Sequence, residues 1–147
     1  MTIQQLSIEE QARYGATHKA VISYANGDFT AAATSQSWTL AALVAGHKIA
    51  NAFLRVPTLL SGGSVSAASV TVGDTGTANA FITATDVFTG GVIAKAGDGA
   101  GFNQAGGKMY VSASNLVVAL GTTTANVSTL TAGELDVYFS LAQTNNV

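Results

Sequence analysis

The chain contains no cysteine, which excludes disulfide frameworks, thiolate metal sites, CxxC redox pairs and cysteine nucleophiles together. Charge is the next scarcity. Asp, Glu, Lys and Arg make up 10% of the 147 residues, against about 25% in an ordinary globular domain. Six Lys and Arg against eight Asp and Glu leave a net charge of -2. With no basic excess to neutralise phosphates, a free-standing nucleic-acid binder is excluded. The two histidines, His18 and His47, have no second ligand at metal-site spacing. The longest uncharged run, residues 109–133, is broken by Ser112, Ser114, Asn115, Gly121, Thr122 and Asn126. A spanning helix needs about 20 predominantly apolar residues, so no membrane segment is expected. Residues 1–13 carry Gln4, Gln5, Glu9 and Glu10 where a signal peptide needs a basic and then an apolar region. The expectation is a protein made in the cytoplasm and not secreted.

What the chain does have is hydrophobic residues at 48%, a normal globular share that excludes intrinsic disorder. Its length suits one domain, able to bury roughly 70% of the surface its unfolded form exposes. The exterior of such a domain must be covered by Ser, Thr, Asn, Gln, Gly and Ala.

One segment is helical. Ser7 followed by Glu10 has the spacing of a capping box, Leu6 is a staple residue, and Ile8 with Ala12 forms a short apolar stripe. Gly15 is the stop, which predicts a helix over residues 8–14. Too short to be stable alone, it either tucks under the domain or serves as an arm reaching a neighbouring subunit.

From Lys19 onward the pattern has period two. Asn26-Gly27 predicts a type I′ hairpin turn. Strands are expected over residues 35–43, 48–60, 64–72, 80–88, 108–115, 116–121, 126–130 and 133–143, with a shorter one at Val92-Ile93. Pro57 marks a strand end or an edge. Residues 97–107, with five glycines, form a loop. Runs at this spacing predict an all-β fold: a jelly-roll-like β-sandwich of about 8–10 short antiparallel strands. The expected division is an N-terminal arm with a short helix, residues 1–18, and a single β-sandwich domain, residues 19–147.

Chemistry is sparse. The sequence holds no HExxH and no Gly-x-Ser-x-Gly elbow. Gly97-Asp98-Gly99-Ala100-Gly101 lacks the Gly-Lys-Ser/Thr ending of a phosphate loop. Glu134 and Asp136 share a strand face and are read as gatekeepers on an outer strand. Trp38, Phe53, Phe81, Phe88, Tyr110, Tyr138 and Phe139 fall where a sandwich core needs them. No catalytic residue, metal or cofactor is implied, and the protein is expected not to be an enzyme.

The low charge itself is the informative anomaly. A free soluble protein usually carries about 25–35% charged residues on its surface, whereas interface cores are depleted in charge. A neutral exterior therefore suggests burial by partners.

In this respect the chain resembles small structural proteins of tailed bacteriophage particles. The resemblance is carried by AAATSQSWTL at residues 31–40, SGGSV at 61–65 with VTVG at 70–73, FITATDVF at 81–88 and LTAGELDVY at 130–138. It covers most of residues 31–143 and leaves residues 1–19 outside. It implies a capsid cement or decoration protein on the outer capsid surface of a virion, or a related virion component. Such a protein forms a homo-oligomer, a trimer or a dimer, and its partner is the major capsid protein of the shell. Contacts to subunit or shell are then expected at Leu6, Ile8 and Tyr14 of the arm and at Phe102 and Asn103 of the glycine-rich loop. Loss of residues 1–19 should leave a folded domain that no longer associates. Two rivals remain: a carbohydrate-binding or host-recognition module, which needs an exposed aromatic cluster, and a hydrolase, which needs a pocket of convergent titratable groups.

Overall fold

The computed structural model describes residues 1–89, 93–99 and 107–143, apart from the side chains of Ile93 and Ala94. Phe102 and Asn103 lie outside the described residues. Among the described residues ten strands and one α-helix follow one another: β1 (Thr2–Gln5), α1 (Ile8–Tyr14), β2 (His18–Ser23), β3 (Ser35–Leu43), β4 (His47–Ser61) and β5 (Ala67–Asp74). Then come β6 (Thr77–Asp86), β7 (Ile93–Ala96), β8 (Lys108–Met109), β9 (Ser114–Thr123) and β10 (Ala132–Gln143). Every pairing is antiparallel. One sheet has the order β1-β2-β10-β4-β7, with β8 also on β4; the other has the order β3-β9-β5-β6.

This order follows from folding one long hairpin over on itself. β5 pairs β6 at the tip, then β4 pairs β7, β3 pairs β9, and β2 pairs β10 at the ends. Wrapping brings β10 against β4 and β9 against β5. Two sheets of interleaved strands result, which is the jelly roll.

Alternation decides which side chains meet between the sheets. Leu54 and Val56 of β4 and Leu135, Val137 and Phe139 of β10 face Val70 and Val72 of β5, Ile82 of β6, and Leu116, Val118 and Leu120 of β9; Phe81 of β6 is buried in the same cluster. All are essentially inaccessible to water. The core is therefore mostly aliphatic, with two fully buried phenylalanines, Phe81 and Phe139.

Three local expectations are corrected. First, of Asn26 and Gly27 only Gly27 has positive φ, +68°. The turn is centred one residue earlier, with the Gly27 amide donating to the Tyr24 carbonyl. It leads into a crossing between sheets, so β2 and β3 never pair. Second, β4 runs through Pro57 to Ser61. Proline is tolerated there because the register of β4 on β10 slips between the Arg55–Asp136 and Thr58–Glu134 pairs, and a bulge needs no amide at that point. Third, residues 127–129 form a short 3-10 helix, with Val127 plugged into the core, where a strand was expected.

The N-terminal segment is part of the body. β1 pairs β2 as an edge of the larger sheet. Ser7 and Glu10 form the capping box, and Gly15 ends α1 in the left-handed conformation at φ +61°. The residues flanking the helix anchor it. Leu6, Ala16 and Tyr138 form a second small core, with Tyr14 and Phe53 packed against it. The Gly15 carbonyl accepts from Asn51 Nδ2 and Ser140 Oγ. Residues 6–17 thus cover Tyr138 and Phe53 on the outer face of β10 and β4, and β2 already begins at His18. Removing residues 1–19 would expose Tyr138 and cut a core strand.

Candidate interaction surface

That cover leaves the two outer faces unlike each other. On the larger sheet, Lys19, Asp136 and Tyr138 sit together under α1. The Lys19 Nζ lies 2.8 Å from Asp136 Oδ2 and 5.4 Å from the Tyr138 ring centre. Burial opposes the Lys19 charge, but the hydrogen bond and charge of Asp136 outweigh it and hold its pKa raised. Asp136 is 1% exposed, and its Oδ1 has no hydrogen-bond partner. The expected gatekeeper role is corrected here. β10 is a central strand between β2 and β4, so Asp136 guards no edge; it is an internal ion-pair member.

The outer face of the smaller sheet is uncovered among the described residues. Register and alternation place Ser37 of β3, Ala119 of β9 and Thr71 of β5 in one cross-strand row. Thr39, Val117 and Gly73 make the next row, and Ser35, Gly121, Ser69 and Asp86 the row on the other side. No side chain in these rows is bulkier than valine. Asp86 is the only charged member, and its carboxylate is occupied by the amides of Phe88 and Thr89 and the Thr89 hydroxyl. Those donors lower its pKa. A shallow depression of about 410 Å³ lies among Ala67, Ser69, Ala84, Asp86, Gly121 and Thr123. The result is a flat, neutral face that another backbone can approach closely.

A second feature sits at one end of the sandwich. Asp74, 4% exposed, ends β5. Its Oδ1 accepts from the amides of Gly76 and Thr77 at 3.0 and 2.9 Å. Its Oδ2 accepts from Tyr110 Oη at 2.7 Å and from the Lys108 ammonium. Burial raises the Asp74 pKa, but the Lys108 and Tyr110 hydrogen bonds more than reverse this and leave it lowered. Burial and Asp74 together raise that of Tyr110. The two amides close the β5–β6 turn, and Lys108 and Tyr110 staple it to β8 and the residue after it. A groove of about 430 Å³ runs past this cluster, flanked by exposed Met109 and Val111.

The expected contact residues are separated by the fold. Leu6 is 3% exposed, so it cannot contact a partner; it fills the space under α1. Tyr14 is half-buried, stacked on Tyr138 at 4.5 Å. Ile8 is 85% exposed, because the helix is held by its ends and not by an Ile8–Ala12 stripe. His18 stacks on Phe139 at 5.3 Å and hydrogen-bonds Thr17 Oγ1. His47 Nδ1 lies 3.4 Å from the Val44 amide. Among the described residues no three His, Asp or Glu side chains gather to hold a metal ion, and no helix is long and apolar enough to cross a membrane. Scans against family models, curated proteins and solved structures find no match to this chain.

Proposed function

We propose that this chain is a structural protein of a bacteriophage particle that binds and stabilises the capsid shell, in the manner of a cement or decoration protein. The observation that carries the reading is the neutral outer face of β3-β9-β5-β6, with Asp86 as its one charge. Desolvating such a face costs little, because Asp86 is its single ion and keeps the Phe88 and Thr89 amides and the Thr89 hydroxyl as donors. Repetition over a lattice lets many modest contacts add. The jelly roll suits the role and hosts others, capsid and lectin domains among them. The partner on this reading is the major capsid protein, and the site of action is the outer surface of the virion.

The lectin alternative wants a platform of exposed rings. Among the described residues Tyr24 is the exposed aromatic; Tyr14, Trp38, Phe53 and Phe88 are half-buried and the rest are buried. That distribution favours the shell-binding reading.

The test is co-sedimentation of the purified protein with empty capsids of the phage whose genome encodes it. Ala119→Arg, at the centre of the neutral face, should weaken binding by at least about tenfold with an unchanged melting temperature. Ile8→Asp separates the arm from the face. If capsids bind neither the parent protein nor any variant, the proposal is wrong. If only Ile8→Asp abolishes binding, the contact belongs to the helix and not to the sheet.

A further inference from the structure

The ends of the two sheets are guarded unequally. β1 and β7 are four residues long, and β8 is two. β6 is covered: the amides of Asp98 and Gly99 donate to the Phe81 carbonyl, and the Asp98 carboxylate accepts from the Thr83 amide and hydroxyl. Lys95 completes that cover on Thr83 and Thr85. Among the described residues β3 has no such device. Its nine residues, SQSWTLAAL, contain no charge and no proline. Among the described residues its backbone bonds only to β9.

The ladder shows which groups are left over. The Thr122 amide donates to the Thr34 carbonyl, which makes Thr34–Thr122 a hydrogen-bonded pair. Alternation then directs the backbone groups of Gln36 and Trp38 to β9, and those of Ser35, Ser37 and Thr39 outward. All three outward residues are exposed. The bulge at Thr39–Ala41 ends the regular edge there.

We infer that two copies of this chain join β3 to β3, antiparallel across a twofold axis at Ser37. A bare strand edge presents alternating donors and acceptors that another strand satisfies best. Self-pairing suits this edge because β3 meets itself at equal length with no like charges opposed. Ser37 then faces its own counterpart, Ser35 faces Thr39, and about six main-chain hydrogen bonds form. On the inner side Trp38 comes to lie opposite Gln36 of the second copy. The neutral faces of the two copies fuse into one eight-stranded surface, β6-β5-β9-β3 continued by its symmetry mate. This inference is independent of the virion reading, since it requires only the chain itself.

The test is the solution mass at micromolar concentration, with hydrogen exchange on the unmodified protein. A dimer is expected, with slow exchange at the Ser35, Ser37 and Thr39 amides. Emission from Trp38, the single tryptophan, should shift to the blue as concentration rises. Ser37→Lys places two ammonium groups side by side at the axis and should weaken the dimer by at least about tenfold. Ser69→Lys adds the same charge to the same face away from the edge and should leave the dimer intact. A monomer with free exchange at those three amides overturns the inference and leaves the edge to a strand of another protein. A dimer that survives both Ser37→Lys and Ser37→Pro overturns it too, by placing the interface elsewhere.

Discussion

Replacing Asp74 by alanine removes the staple between the β5–β6 turn and β8, and its cost can be worked from the contacts. Tyr110 is 6% exposed, so its hydroxyl, deprived of Asp74 Oδ2, is left without its acceptor in a dry place at about 1–3 kcal/mol. The Gly76 and Thr77 amides are in exposed residues and recover water, so their loss is about 0.5–1 kcal/mol together. The Lys108 side chain is 33% exposed; its ammonium also rehydrates, and its share is at most about 1 kcal/mol. The total is about 3 kcal/mol. For a domain of this length that lowers the melting temperature by about 6–12 °C. Calorimetry or circular dichroism measures it. Tyr110→Phe should cost about 1 kcal/mol. The double variant should be milder than the sum of the two by about 1–2 kcal/mol, because the orphaned hydroxyl goes as well. Melting of Asp74→Ala within about 2 °C of the parent, or strict additivity, would show that the cluster is not a staple.

Two further predictions concern charge. Asp136→Leu strands the Lys19 ammonium, 19% exposed, and should destabilise by about 3 kcal/mol. Combining it with Lys19→Met should restore stability to within about 1 kcal/mol of the parent, since Asp136 Oδ1 is already unpaired; a double variant as weak as the single one contradicts this. Asp74, Asp86 and Asp98 all have lowered pKa values. For Asp98, burial is outweighed by Thr83 and Lys95, which bring it to about 2. Folded values below the unfolded ones mean that this stability is complete above about pH 5 and is lost as pH falls towards 2. Urea midpoints should therefore be flat from pH 7 to about 5 and drop steeply below 4. A midpoint that holds to pH 2 argues that the three carboxylates stabilise nothing.

The sequence by itself determined what depends on near neighbours. Ser7, Glu10 and Gly15 bound one helix because capping is settled within a turn of backbone. Leu135, Val137 and Phe139 announced an inward strand face because alternation is intrinsic to extended chain. The scarcity of charge was likewise plain in the composition. Only tertiary structure decided where each strand lies, since pairing joins residues as distant as Ser23 and Glu134. The wrap made β10 central, turning Asp136 from a presumed edge guard into a buried ion. It also drew Leu6 under the helix and left Ile8 in water. One sheet was covered in part by the N-terminal segment and the other left bare among the described residues, and the neutral residues scattered along β3, β5 and β9 became a surface only when hydrogen bonds set them side by side.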